Sequence, residues 1–301
     1  MNDLSRLDTN NNTVSTHRDY RDISFYEDNS KIEKVNLLAE IPVAIKSEYD
    51  QAEVLETKKL DSYFGLYNSA TDQLLPTRPV SSTYQLVPHH ELFNEQAKIL
   101  SQSDLPLDNI TVVDKLFKGG LQAHRTIFFH DLEKQIASQK DNVLSRIDIY
   151  NSCDMSWSFQ VFSGAYRNLC QNTMVFGGQK AYHQVAKHTR NLSTTAMMTK
   201  AQIGLEHWTS QSEQMTKWNA SRMNIDQFGE ILKQTICKKN SKSAKANLVN
   251  PVNETKLNYL LDRFEKETPD LGLTMWAGYN ALTHWATHTD ETIEKEIDNK
   301  L

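Results

Sequence analysis

Cysteine is scarce in this 301-residue chain: Cys153, Cys170 and Cys237 share no paired metal-ligand spacing, and three thiols leave one over in any disulfide scheme. A disulfide scaffold is excluded and a reducing compartment, the cytoplasm, is expected. The N-terminus lacks a basic stretch followed by an apolar core, and no window approaches the ~20 apolar residues of a membrane helix, so no membrane partner is expected. Ten glycines and seven prolines are few for the length. Also missing are a Walker A loop, a G-x-G-x-x-G turn, an H-E-x-x-H helix and a C-x-x-C pair. These absences remove the common signatures of nucleotide hydrolysis, dinucleotide binding and metalloproteolysis, so no cofactor, metal or catalytic residue is assigned and an enzyme is the less favoured class.

What is present is a wet but foldable chain, 39% apolar and rich in Asn, Gln, Ser and Thr. The net charge is −5, unevenly spread: residues 1–75 carry −6, residues 76–250 carry +6 and residues 251–301 carry −5. A basic middle between acidic flanks lets a central domain meet phosphates while the ends keep the protein soluble.

Four segments are expected. Residues 1–30, polar and aperiodic, suggest a mobile acidic arm. Residues 31–75 carry apolar clusters around Val35, Leu38, Ile41 and Phe64 that need a core to pack on. Residues 76–192 hold the α+β core. Within it a β-rich run at Thr83–Val87 leads into a helix from His89 to Gln102. Runs at 109–118 and 121–130 flank Gly119-Gly120, the pattern of a two-residue hairpin turn. A further strand spans Val143–Tyr150, Trp157 to Val161 alternate as a strand does, and a helix-like piece around Ala165 and Leu169 follows. Residues 193–301 form a helical region, with N-cap signals at Ser193 and Asn224 and a closing pair of helices at 251–267 and 271–288. The fold class is therefore α+β: an antiparallel sheet with a helix on one face, followed by a helical C-terminal region.

Between the last two core strands lies a polar knot, N-S-C-D-M-S-W at 151–157, which continues as S-F-Q-V-F-S-G-A-Y-R-N-L-C-Q-N to residue 172. It resembles the N-S-H-D-G-S-S…G-A-[FY]-R-x-x-C-x-N signature of a phage and plasmid protein family known as a domain of unknown function (family 932, also called UPF 0380). Arg167, Cys170 and Asn172 fall on the signature's Arg, Cys and Asn. Cys153, Met155 and Trp157 stand where it has His, Gly and Ser, so chemistry needing an imidazole at 153 is not expected. The resemblance extends from about Thr83 to Asn191, with an echo in T-M-W-A-G-Y-N-A-L-T-H-W at 274–285, and implies a mobile-element protein of the host-cell cytoplasm.

Asn151, Ser152 and Asp154 suit a structural Asx-type turn; the competing reading makes the knot a nucleophile with its acid partner, or a phosphate-holding turn. His284 and His288, four apart, lack a third ligand. The strongest binding signal is G-G-Q-K-A-Y-H-Q-V-A-K-H-T-R-N at 177–191, where Lys180, Lys187 and Arg190 interleave with Tyr182 and His183 and no acid intervenes. Lys115, Lys118, Arg125, Arg146 and Arg167 lie on or beside the sheet. Cations neutralise phosphates and aromatic rings stack on unpaired bases. The favoured reading is a nucleic-acid-binding protein of phage or plasmid DNA metabolism that anneals or protects single-stranded DNA in recombination, as a homo-oligomer. The alternative is a host-takeover or anti-defence module that docks on a host protein through its acidic ends and C-terminal aromatic helix. A third, a hydrolase centred on Asp154 and Arg167, would show as an activity lost on Cys153→Ala or Asp154→Ala without unfolding of the protein.

Overall fold

The computed structural model of the protein describes residues 12–46, 51–137, 141–167, 172–175, 183–237 and 252–287. Its strands are β1 (Thr13–His17), β2 (Ile32–Lys46), β3 (Gln51–Asn68), β4 (Gln73–Leu74), β5 (Val80–Ser81), β6 (Ile110–Phe117), β7 (Gln122–Gln135), β8 (Asn142–Ser152), β9 (Phe159–Arg167), β10 (Asn172–Val175) and β11 (His183–Ala186). Its helices are α1 (Ser24–Asn29), α2 (His89–Ser101), α3 (Thr194–Glu206), α4 (Trp208–Ala220), α5 (Ile225–Gln234), α6 (Glu254–Leu271) and α7 (Met275–Thr287). Among the described residues one sheet runs β1-β6-β7-β8-β9-β10 with β11 also on β9, and a second joins β2-β3-β4 with β5 on β3. The class is α+β with helices at the C-terminal end, as the patterning predicts. The chain divides within β7, β8 and β9 into one unit of residues 1–129, 147–163 and 179–205 and another of 130–146, 164–178 and 206–301.

In the first unit the sheet has a closed face and a more open one. β6 alternates strictly: Ile110, Val112, Asp114 and Leu116 are buried, while Thr111, Val113, Lys115 and Phe117 are half-buried. α2 turns Leu92, Phe93, Gln96, Ala97 and Leu100 inward at helical spacing. Gln96, Ile99, Leu100, Ile147, Ile149, Val161, Met198 and Ala201 surround one small gap, so α2 and α3 cover the closed face. A buried aliphatic or aromatic side chain contributes roughly 1.5–3 kcal/mol, which makes this face the main source of stability here. The base of the β2–β3 hairpin joins a second cluster of Ile32, Leu66, Val80, Tyr84, Leu121 and Cys153.

The second unit is organised by a buried polar network. Arg167, wholly buried, gives its Nε to Asp141 and its Nη1 to Glu267 at 2.9 Å. Trp276 donates its indole N–H to the other Asp141 oxygen at 2.9 Å, and Arg263 completes Glu267 at 2.7 Å. Around it α6 buries Leu257, Leu260, Phe264 and Leu271. α5 starts at a reciprocal capping box, Asn224 Oδ1 accepting from Gln227 N at 2.9 Å and Gln227 Oε1 from Asn224 N at 3.0 Å.

Several expectations differ from the structure. Of the supposed arm, residues 12–30 are folded: β1 pairs antiparallel with β6, His17 binds Asp114 at 2.9 Å, and Tyr26 is fully buried. Thr83–Val87 forms no strand; the pairing residues are Val80 and Ser81, opposite Phe64 and Tyr63. The Gly119-Gly120 hairpin closes through four residues, Lys118–Leu121, three of them at positive φ (Lys118 52°, Gly119 64°, Gly120 91°). The helix-like piece at Ala165 is strand, because Met174 of β10 supplies its partner backbone. The helical run at 193–218 is two helices broken at His207.

Candidate nucleic-acid interface

The ten expected phosphate or base contacts separate sharply. Arg125 is fully buried and bidentate on Asp114, Nε to Oδ1 at 2.7 Å and Nη2 to Oδ2 at 2.8 Å, with the Asp22 carbonyl accepting from Nη2 at 2.8 Å. Its guanidinium carbon lies 4.7 Å from the Phe93 ring centre and 5.3 Å from that of Tyr26. Burial pushes the Asp114 carboxyl up, but hydrogen bonds from Arg125, His17 and Tyr26 outweigh it and hold the group below the usual carboxylate range. Arg167 is consumed by the network of the second unit, and Arg146 is buried with its guanidinium 5.7 Å from the Tyr166 ring centre. These three arginines are therefore corrected from ligand contacts to core groups: a desolvated cation held by a carboxylate or ring does not reach a phosphate.

Lys118, Lys187 and Arg190 are exposed and Lys115 is half-buried. Exposed Lys118 stands 4.0 Å from half-buried Asp154, at the outer limit of an ion pair, and is little constrained by it. His183 is placed by backbone register opposite Phe162; Lys180, Tyr182, Cys170, His288 and the basic stretch at 238–247 lie outside the described residues.

The knot is a hydrogen-bonded turn. Asp154 Oδ1 accepts from the Ser156 backbone N–H at 3.1 Å and from the Ser156 hydroxyl. Ser152 Oγ donates to the Trp157 carbonyl and accepts from the Trp157 N–H, both at 3.0 Å. Met155 sits at φ 64°, the left-handed region that favours glycine, which accounts for the glycine of the related signature at this place. Asn151, His89 and Cys153 meet in a Cys–His–Asn arrangement: Asn151 Nδ2 donates to His89 Nδ1 at 2.9 Å, and Cys153 Sγ is 3.7 Å from His89 Nε2. The chemistry does not follow the geometry. His89 Nε2 donates to the Gly120 carbonyl at 3.1 Å, all three side chains are buried, and burial pushes the thiol up while pulling the imidazole down to about 4. A neutral thiol beside a neutral, fully bonded imidazole is core packing, not an activated nucleophile.

The open face of the sheet in the first unit carries a row of rings absent from the sequence-based candidates. His124 of β7 and Tyr150 of β8 stack with centroids 3.9 Å apart and planes 11° from parallel; Tyr150 continues onto Phe162 of β9 at 5.7 Å and 22°. Trp157 packs edge-on against Tyr150 at 5.8 Å and against Phe117 of β6 at 5.6 Å. All five are half-buried. Lys115 lies opposite His124 in the β6–β7 register, and the β9–β11 register sets His183 beside Phe162 and exposed Val185 beside Gln160. Asp148 anchors the row from below, accepting from His124 at 2.8 Å and Thr126 at 2.8 Å. Alternation within β8 hints at Tyr150, but only strand register shows that four strands contribute to one row.

Trp157 also lines a cavity of about 290 Å³ with Tyr84, Met155, Ser158, Lys187, His188 and Thr189. Tyr84 is fixed by its hydroxyl, which donates to the carbonyls of Ser152 at 3.2 Å and Cys153 at 3.0 Å. His188 is fixed to Gln85, whose N–H donates to the His188 carbonyl at 3.2 Å and whose carbonyl accepts from His188 Nδ1 at 3.3 Å. Among the described residues no group of three or more His, Cys, Asp or Glu is placed to hold a metal, and no helix is long and apolar enough to cross a membrane.

Neither curated proteins nor solved structures gave a match to the chain. A family model does match, over residues 76–301, which takes in β5 onward and so the ring row, the cavity and the Arg167 network. The chain belongs to the family described as a domain of unknown function (DUF932).

Proposed function

We propose that the protein binds single-stranded nucleic acid along the open sheet face of its first unit. The observation that carries this reading is the row His124–Tyr150–Phe162, extended by Trp157 and Phe117 and bordered by Lys115 and Lys118. Rings already stacked on one another offer their edges and their terminal faces, and an unpaired base continues such a stack in a way that a base inside a duplex does not. Lys115, Lys118, Lys187 and Arg190 supply the phosphate contacts that remain once the buried arginines are set aside. No resident cofactor is needed. DNA annealing or strand protection in phage or plasmid recombination, in the cytoplasm and by an oligomer, is the setting we assign to this activity.

The test is fluorescence anisotropy of a labelled single strand, with a duplex of the same sequence as control, at low and moderate salt. The reading predicts preference for the single strand and, for three or four lysine or arginine contacts, a slope of log K on log salt of about −2 to −3. Equal or absent binding of the single strand at low salt refutes it and directs attention to host-protein partners.

A further inference from the structure

We infer that the β2–β3 ribbon is a self-complementary dimerisation surface, pairing face to face with the ribbon of a second copy of this chain. The inference goes beyond strand binding and does not depend on it. At its base the ribbon has two distinct sides. Ile32 and Leu66 enter the core cluster and Lys34 Nζ donates to the Ser81 carbonyl at 3.3 Å, so the even-numbered side of β2 faces the core of the first unit. Val35 and Leu37 lie on the other side, where they converge with Leu74 over Gly65; a Cβ there would stand 3.0 Å from Leu37 and Leu74 and 3.5 Å from Val35. That side looks outward: Val35 and Leu37 are half-buried and Leu74 is 59% exposed.

Beyond the irregularity between Asn36 and Leu38 the ribbon leaves the core, and Leu38 is already 66% exposed. β4 and β5 pair with β3 at Tyr63, Phe64, Tyr67 and Asn68. Among the described residues no third strand joins the stretch from Leu38 opposite Lys59 to Lys46 opposite Gln51. Two strands alone are marginal in water and gain stability by covering an apolar face. β2 has such a face: alternation puts Val35, Leu37, Ala39, Ile41, Val43 and Ile45 on the outward side, apolar without a break, while the even side is mixed. Pro42 removes a backbone donor from this edge strand, which disfavours growth by strand addition and leaves the face for contact.

The occupant follows from symmetry and charge. The apolar strip is a palindrome about Glu40. With a two-fold axis crossing the ribbon at that level, Ile41 meets Ala39 of the partner subunit, Val43 meets the partner subunit's Leu37 and Ile45 meets the partner subunit's Val35. Register sets Glu56 opposite Ile41 and exposed Lys58 opposite Ala39, so both share this face. The same axis lays Glu56 against the partner subunit's Lys58, and symmetry repeats the pair. A polyanion is a poor occupant, since residues 38–60 hold three lysines against five acids. A strip about 35 Å long and about 10 Å wide on each copy covers on the order of 700 Å² in all, the size of a weak, concentration-dependent contact rather than a permanent one.

Sedimentation velocity of the full-length chain, from about 1 to about 300 µM, tests this in the range expected of so small a contact. The 34.6 kDa monomer should give way to a dimer of twice that mass as concentration rises. Val43→Glu puts a charge on the strip away from the core and should weaken the dimer about tenfold. Glu56→Lys and Lys58→Glu should each weaken it about as much, because like charges then meet at two symmetric points. The double exchange Glu56→Lys/Lys58→Glu should restore it, which a ribbon that had merely lost its structure could not do; circular dichroism checks the fold of each variant. A chain that stays monomeric to the highest concentration overturns the inference. So does an assembly of any size that is indifferent to Val43→Glu, or a double exchange that fails to restore association.

Discussion

His124 and Tyr150, 26 residues apart in sequence, stack with their ring centres 3.9 Å apart on neighbouring strands. Asp148 holds the His124 ring from beneath through a 2.8 Å hydrogen bond, so the stack is positioned before any ligand arrives. Fixed rings lose little freedom on binding, and that is what suits such a surface to recognising a flexible strand.

Replacing Tyr150 with Ala removes the middle ring of the row. The expected loss of single-strand affinity is about 1–3 kcal/mol, roughly 5- to 150-fold, with a smaller loss for Phe162→Ala at the end of the row. Anisotropy titration measures it, and the salt slope should stay the same because no cation is removed.

Arg125→Ala tests the reassignment of that residue from ligand contact to core. Asp114 would be left as a buried carboxylate with its strongest partner gone, and the cost should be about 3–5 kcal/mol in urea unfolding. A variant that loses strand binding without losing stability would return Arg125 to the interface.

Met155→Gly should raise stability by about 0.5–1 kcal/mol. The left-handed backbone at φ 64° costs a side-chain-bearing residue about 1–2 kcal/mol, part of which glycine gives back through its freer unfolded chain. The urea midpoint reports the change.

Acid should weaken the protein in a defined window. His89 is buried neutral, its affinity for a proton pulled down from 6.5 to about 4 mainly by burial, so between those values the unfolded chain binds a proton that the folded one does not. Stability therefore falls as pH drops from about 6.5 towards 4, by up to about 3 kcal/mol from this group, with His188 adding in the same direction. Asp114, lowered from 3.8, contributes stability that is kept above its unfolded value and lost only in stronger acid. Urea midpoints from pH 7 to 4.5 should show the decline, and His89→Gln should flatten it.

The fold class was legible because local patterns carried it. The β-branched and aromatic runs on either side of Gly119-Gly120 marked β6 and β7, the spacing of Leu92, Phe93, Ile99 and Leu100 around Gln96 marked α2, and the N-cap signal at Asn224 marked the start of α5. What depended on distant partners was not legible. Arg167 looks like a surface cation until Asp141 and Glu267, 26 and 100 residues away, close around it. Ala165 looks helical until β10 pairs with it, and residues 13–17 look mobile until β6 accepts them as a strand. The ring row is the same case. Each aromatic residue has an ordinary packing explanation alone, and only register brings four strands' contributions together. The Arg, Trp and Asn of the related signature and its echo mark the second unit's buried network, so they indicated a fold rather than a chemistry.

Photocrosslinking of the full-length protein to a single-stranded oligonucleotide carrying 5-iodouracil, with peptide mapping of the adducts, tests the central claim most directly. The account predicts adducts on the row and its margin, at Tyr150, Trp157, Phe162 or the His183 segment, and their loss when Tyr150 and Trp157 are both changed to Ala. Adducts confined to α4–α7, or none under conditions where a known single-strand binder is labelled, would contradict it.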